Sequence, residues 1–197
     1  MDFSAVLIVT FNDLLVCLLP VIFFRRDGAL TPMWLVTAAP YAVAPVVTWC
    51  AYYRLLEPYQ LQSAGILYQP LLANIGVLLS ALSILMMGLT LGCHRIPLAL
   101  WHQAPEKDAP AYIVDWGIYR RIRHPFYSAF IVLMIANTLI AQNIWAAAVL
   151  LYVAVILTLT ARREERRLSA ETGEIGAHYR RYMLSSGRFF PRFWARG

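Results

Sequence analysis

Charged residues are scarce in this chain. Asp, Glu, Lys and Arg make up 14% of its 197 residues, whereas hydrophobic residues make up 60%. Soluble globular domains have about 25% charged residues, so this composition excludes an ordinary soluble protein. The chain is therefore predicted to be an integral membrane protein.

Cysteine is also rare, and internal repeats and low-complexity tracts are absent. The three cysteines, Cys17, Cys50 and Cys93, lie in or at the ends of apolar runs and have no Cys-x-x-Cys spacing. An odd number of cysteines in this arrangement favours neither a disulfide framework nor a metal site. We therefore predict no metal ligands, and we interpret the cysteines as packing residues.

Acidic residues are fewer than basic ones, with 11 against 17, and the formal net charge is +6. In a membrane protein, such an excess is explained by topology and by attraction to anionic lipid headgroups. We therefore predict membrane lipids, and not nucleic acid, as the partners of this charge.

Five apolar runs are long enough, or nearly so, for a membrane helix, which needs about 20 residues. They are residues 5–24, 33–53, 70–93, 127–142 and 144–161. Because Asn143 alone separates the last two runs, they are predicted to form a tight helical hairpin. The expected fold class is all-α: a polytopic membrane protein with about five transmembrane helices and a cytoplasmic cofactor site.

The predicted spans divide the chain into two parts. Residues 1–93 hold three N-terminal spans, and residues 94–197 hold a connector, the hairpin 125–161 and a tail 162–197.

The arginines predict an orientation, because short cytoplasmic loops are enriched in Lys and Arg. Five spans place Arg25, Arg26, the connector and the Arg-rich tail on one face, and they leave Arg54 on the other. The N-terminus is therefore expected outside, and the connector and the C-terminus are expected in the cytoplasm.

A polar and aromatic stretch, Gly-Ile-Tyr-Arg-Arg-Ile-Arg-His-Pro-Phe-Tyr-Ser, occupies residues 117–128. Pro125 is predicted to open the fourth span, with His124 near its cap, because Pro is favoured at the first position of a helix. Free backbone N–H groups and the helix dipole predict an anion site there, reinforced by Arg123. The alternative is that the arginines hold lipid phosphates while His124 only caps the helix.

Glu164 and Glu165 directly follow the fifth apolar run and its Arg162-Arg163 pair. Acidic residues are disfavoured near the C-terminal end of a helix dipole, so a cationic or hydroxyl partner is expected for them. The alternative is a surface network with neighbouring arginines. Because the hairpin brings the acidic pair beside the start of the fourth span, the two clusters together predict a two-part site.

These features resemble a known family. The 117–128 stretch, the hairpin, the Glu-Glu pair and a tail with His-Tyr, Tyr-Met and Phe-Pro are similar to the isoprenylcysteine carboxyl methyltransferase family. The related phospholipid N-methyltransferases share the Arg-His-Pro-x-Tyr and Glu-Glu signature. The resemblance extends over about residues 114–193, and the paired motif at this spacing is fairly specific.

The resemblance implies S-adenosylmethionine as methyl donor, S-adenosylhomocysteine as product, and a lipophilic acceptor that enters from the bilayer. The cofactor's carboxylate is expected at the helix start, its ribose at the acidic pair, and its adenine against apolar connector residues. The implied cofactor-binding residues are Ile113, Val114, Gly117, Tyr119, Arg123, His124, Tyr127, Glu164, Glu165 and Tyr179.

Glu164 and Arg163 are the catalytic candidates. Glu164 is expected to orient the acceptor or to take a proton from it. Members of the family that methylate a carboxyl usually carry an Arg one helical turn before the acidic pair, where this chain has Thr160. Arg162 or Arg163 is the expected replacement, and the acceptor is left open among a prenylcysteine carboxylate, a lipid amine, a thiol and another small lipophilic molecule.

Two other classes compete with a methyltransferase. Membrane sterol reductases carry a similar Arg-His-Pro-Asn-Tyr turn and use NADPH, but here Phe126 replaces the Asn, and the Glu-Glu pair suits ribose hydroxyls better than a 2′-phosphate. A small scaffold or carrier would instead use intramembrane polar residues such as Asn74 and Asn137. That reading leaves the 117–128 stretch unexplained.

The end of the chain interleaves aromatic residues with arginines, as in Arg188-Phe189-Phe190. This pattern is typical of an interfacial anchor. The last ten residues are therefore expected to lie on the lipid headgroups.

Overall fold

The structure is a computed structural model. It describes residues 69–93 and 113–192, together with positions 10, 11, 43, 46, 47, 49 and 50. The two long segments contain four α-helices: α1 (Gln69–Gly92), α2 (Pro125–Ala141), α3 (Ile144–Ala170) and α4 (Glu174–Ser185). A short 3-10 helix (Gly117–Arg120) precedes α2. The all-α prediction is confirmed, since no strand occurs in this described part of the chain.

Two of these helices, α1 and α3, are long and apolar enough to cross a membrane. Helix α2 is also apolar but has 17 residues, which corresponds to about 26 Å of helix. The third, fourth and fifth predicted runs are thus helical. The first two predicted spans fall outside the described residues except for isolated helical positions, so the count of five and the orientation stay predictions.

Helix α3 continues well past its apolar part. The apolar run ends at Ala161, and the helix extends through the charged residues that follow it to Ala170. We therefore treat residues 144–161 as the membrane segment. The acidic pair lies beyond it, in the helical continuation of α3.

The hairpin turn consists of Gln142 and Asn143. Gln142 takes a left-handed conformation (φ 47°), and its N–H donates to the Thr138 carbonyl. Asn143 caps α3, because its side-chain oxygen accepts a hydrogen bond of 2.8 Å from the Trp145 N–H. The turn therefore lies where the lone polar break in the apolar sequence predicts it.

The core lies between α2 and its two neighbouring helices. Phe130 and Leu133 of α2 pack with Val153 of α3 and Met87 of α1. Helix α1 approaches α2 closely at Gly76, where an added Cβ would lie 2.5 Å from Ile140 Cγ1 and 2.9 Å from the Ala136 carbonyl oxygen. Contact on both sides holds α2 in place and so positions its N-terminal end.

The chain after α4 returns to the start of α2. The Arg123 N–H donates to the Gly187 carbonyl at 2.8 Å, and the Gly187 N–H donates to the Arg121 carbonyl at 3.0 Å. The His124 N–H then donates to the Arg188 carbonyl at 3.1 Å. These backbone bonds place residues 186–189 beside the predicted anion site.

Candidate functional site

Glu165 forms the buried centre of the site. Its side chain is 3% exposed, and its Oε1 accepts a hydrogen bond of 2.9 Å from Arg123 Nε. Arg188 approaches the same carboxylate with Nε at 3.1 and 3.0 Å from the two oxygens and with Nη2 at 2.5 Å from Oε2. Burial alone raises the pKa of a carboxyl, but the neighbouring His124 ring and the hydrogen bonds from Arg188 and Arg123 outweigh it. They hold the pKa of Glu165 well below its usual range, so this carboxylate is charged.

Glu164 lies beside this centre but is accessible, with a side chain 43% exposed. The Tyr127 hydroxyl donates to its Oε1 at 2.8 Å, and His124 Nδ1 lies 3.4 Å from its Oε2. Tyr127 and His124 stack, with ring centroids 5.3 Å apart and planes 4° from parallel. Glu164 is therefore a positioned carboxylate with room for a ligand.

The His124 ring lies between the two carboxylates. Its Nε2 is 3.4 Å from Glu165 Oε1, yet this buried nitrogen makes no hydrogen bond within the described residues. His124 occupies the N-cap position of α2, but its side chain makes no capping hydrogen bond there. The ring thus faces both members of the acidic pair, with one nitrogen toward each carboxylate.

The start of α2 agrees with the prediction for Pro125 but differs from it for Arg123. Pro125 opens the helix, and the acidic pair contacts this end directly. Arg123, however, turns toward Glu165, and its Nη1 donates to the carbonyls of Met183, at 3.2 Å, and Ser186. Its charge is therefore satisfied inside the protein.

The connector residues in the predicted site lie on the chain that leads into the 3-10 helix. Ile113 and Val114 are half-buried in an irregular segment. Gly117 has φ +60°, a conformation that favours Gly, and a Cβ there would lie 2.3 Å from Cys93 Sγ, so the Cys93 side chain would have to move. Burial raises the pKa of Tyr119, and nearby Cys93 and Glu164 add to the shift. The Tyr119 hydroxyl is thus neutral.

The two remaining candidates differ in their surroundings. Arg163 is exposed on α3. Tyr179 on α4 is 3% exposed, and its ring meets that of Tyr182 edge-on at 5.9 Å. Burial raises the pKa of Tyr179 to about 12, with the charge of Glu165 contributing. Tyr179 is therefore a buried neutral neighbour of the acidic centre.

Tyr182 connects α4 to the 3-10 helix, since its hydroxyl donates to the Tyr119 carbonyl at 2.6 Å. Replacing Tyr182 by Phe should lower the free energy of unfolding by about 1–2 kcal/mol, because a part-buried carbonyl loses its donor. Chemical unfolding in detergent, followed by circular dichroism, measures this loss. Tyr152→Phe is the matched control, because Tyr152 is 37% exposed on α3; an equal loss in both variants would contradict the assigned role.

Sequence reasoning missed the role of Arg188. It interpreted this residue as part of an interfacial anchor, whereas the structure pairs it with Glu165 at 2.5 Å. The sequence did show a pair of glutamates that needed cationic partners. It also contains many arginines, and which of them pairs with Glu165 depends on the path of the tail, which the sequence pattern does not reveal.

Comparison with models of known families matches residues 99–170 to the isoprenylcysteine carboxyl methyltransferase (ICMT) family. The matched segment includes the start of α2, the hairpin and the acidic pair. No curated protein and no solved structure matches the chain. The match confirms the resemblance that the 117–128 stretch and the Glu-Glu pair predict, and it supports a membrane methyltransferase of the ICMT type.

Proposed function

We propose that this protein is an S-adenosylmethionine-dependent methyltransferase that acts on a lipophilic acceptor at the membrane surface. One observation carries the proposal. Glu164 is a half-exposed carboxylate that Tyr127 holds at 2.8 Å, beside a His124 ring that stacks on Tyr127 at the start of α2.

These groups suit the cofactor. S-adenosylmethionine carries a ribose diol, an ammonium group and a carboxylate, so it requires an acceptor of hydrogen bonds close to a donor. Glu164 supplies the acceptor, and we assign the ligand's carboxylate to the start of α2 beside His124, where the helix dipole favours an anion. Ile113 and Val114 are the apolar connector residues that we assign to the adenine.

Glu165 has a different role in this proposal from Glu164. Both of its oxygens already accept hydrogen bonds from guanidinium groups. We therefore assign Glu165 to positioning Arg123 and to holding the tail against the start of α2. Binding of the ribose hydroxyls is assigned to Glu164.

The cofactor supplies an electrophilic methyl group on a sulfonium centre, which is transferred by direct displacement. No residue has to form a covalent bond to the substrate in such a reaction. The protein contributes alignment and the exclusion of water. Glu164 is the group that orients the acceptor or accepts its proton, with Arg163 as the nearby cation.

The acceptor is assigned only to a class. Thr160, where carboxyl methyltransferases of this type usually carry Arg, is 3% exposed and uncharged. A substrate carboxylate therefore gains no cation at that position. A lipid amine or thiol remains as suitable as a prenylcysteine.

Calorimetric titration of the purified protein with S-adenosylhomocysteine should give saturable binding, whereas NADPH should give none. Binding of NADPH without S-adenosylhomocysteine would assign the protein to the reductase class instead. If a folded sample binds neither ligand, the enzyme proposal fails. Transfer of a labelled methyl group to a lipid extract or to a prenylcysteine analogue then identifies the acceptor.

A further inference from the structure

Two cavities, one polar and one apolar, share a lining residue. The polar cavity has a volume of about 600 Å³, and the apolar cavity has a volume of about 750 Å³. Arg121 lines both of them. Its Nη1 donates to the Arg192 carbonyl at 3.3 Å, which ties it to the chain after α4.

The polar cavity is positively charged. Its lining contains Arg120, Arg121 and Arg181, all exposed, and one carboxylate, Asp115. His178 Nε2 lies 2.8 Å from Asp115 Oδ2, so this carboxylate already has a partner. Guanidinium groups match the oxygens of a phosphate, which three of them can surround.

The polar cavity lies on a different face of α4 from the candidate site. His178, Arg181 and Ser185 line the cavity at helical spacings of three and four residues. Tyr179, one residue after His178, is instead buried near Glu165, and the cavity lining does not include Glu164, Glu165 or His124. An anion in the polar cavity would therefore be bound separately from Glu164 and His124.

The apolar cavity extends from Arg121 into the membrane part of the helices. Leu82 of α1, Ile131 and Ile135 of α2, Ala154 of α3 and Phe190 of the tail line it. Along α2, the lining residues run from Ser128 to Ile135, which corresponds to a rise of about 10 Å. Its volume is in the range of pockets that enclose a ligand of several hundred daltons.

We propose that these two cavities connect at Arg121 and together bind a phosphate-headed lipid. The phosphate lies among Arg120, Arg121 and Arg181, and an acyl chain lies along the apolar cavity. The inference rests on the positive charge of one cavity, the apolar lining of the other, and Arg121, which lines both. The site holds such a lipid whether or not that lipid is the methyl acceptor.

Titration with three short ligands separates the contribution of the phosphate headgroup from that of the acyl chains. Dioctanoyl phosphatidic acid carries both parts, dioctanoylglycerol carries only the chains, and glycerol 3-phosphate carries only the head. Calorimetric titration of the full chain in detergent should give the tightest binding with phosphatidic acid. If dioctanoylglycerol binds as tightly as phosphatidic acid, the phosphate contributes nothing to binding and the proposed phosphate site is wrong. Equal affinity for glycerol 3-phosphate would indicate a soluble phosphate ligand and overturn the lipid assignment.

Substitutions locate the binding. The double variant Arg120→Gln/Arg121→Gln should bind phosphatidic acid about tenfold more weakly or worse, because charged hydrogen bonds are lost. The double variant Arg166→Gln/Arg167→Gln is the matched control, since it removes two exposed arginines of α3 that lie outside both cavities. Equal affinity in the two double variants would contradict the proposal.

A second variant tests the apolar part without changing the charge. Val132 lines the apolar cavity, so Val132→Phe should narrow it and weaken phosphatidic acid binding. Unchanged affinity in this variant would overturn the proposal even if the arginine variant cannot be purified. Titration with S-adenosylhomocysteine is run in parallel and should give the parental affinity, which separates failure of this inference from failure of the proposed methyltransferase.

Discussion

Replacing Glu165 by Gln is expected to lower the free energy of unfolding by about 3–5 kcal/mol, because it leaves two guanidinium groups facing a neutral amide in a buried site. Arg123 and Arg188 both hydrogen bond to this carboxylate, whose side chain is 3% exposed. Loss of these ion pairs should also release the tail from the start of α2. Chemical unfolding in detergent measures the change in the free energy of unfolding.

Glu171→Gln is the matched control for this variant, because Glu171 is exposed just after α3. Arg188→Gln should lose less stability than Glu165→Gln, since the Arg188 side chain is 32% exposed and solvent screens its charge. If Glu165→Gln and Glu171→Gln unfold at the same denaturant concentration, the buried ion pairs do not stabilise the fold.

The pH dependence of the free energy of unfolding is an independent test of the stabilising role of Glu165. The pKa of Glu165 is lowered in the folded protein, so the unfolded chain takes up the proton at a higher pH. The stabilisation is fully present above about pH 4.3, the pKa of an unfolded Glu, and is lost as the pH falls below it. The parent should therefore lose more stability on acidification than Glu165→Gln does.

Replacing Glu164 by Gln is expected to weaken S-adenosylhomocysteine binding by about 10- to 100-fold, because charge-assisted hydrogen bonds to the ligand are lost. Its stability should change little, because the Glu164 side chain is 43% exposed. Calorimetric titration and unfolding of the same preparation separate the two effects. Labelled methyl transfer should fall as well, since Glu164 is also the catalytic candidate.

Two further variants sharpen the interpretation of Glu164. Tyr127→Phe removes the hydroxyl that donates to Glu164 at 2.8 Å and should weaken binding less than Glu164→Gln does. Glu171→Gln should bind like the parent. If Glu164→Gln keeps the parental affinity while Glu165→Gln folds and loses it, the ribose assignment belongs to Glu165.

Much of the architecture could be predicted because it depends on local properties. The length of an apolar run determines whether its helix can cross a membrane. Pro125 begins α2 because its fixed φ suits the first turn and its missing N–H is not needed there. Asn143 ends the apolar pattern and caps α3 through its own side chain. Each of these features requires information from only a few neighbouring residues.

The meeting of the acidic pair with the start of α2 was also predictable, since a tight hairpin returns the chain to the same end. The partners of each side chain were not. Arg188 lies 23 positions beyond Glu165, and its place depends on how α4 and the tail fold back. A charged tail can lie on lipid or on protein, and sequence alone does not distinguish the two.

The sequence by itself predicted a helical membrane protein with a basic helix start and a Glu-Glu pair on the same side. Only the tertiary structure decided that the two glutamates differ. Adjacent residues on a helix point about 100° apart, so the packing of α2 and the tail buries Glu165 between two arginines and leaves Glu164 open. The returning tail also hydrogen bonds to Arg121, through the Arg192 carbonyl, and Arg121 lines both the polar and the apolar cavity.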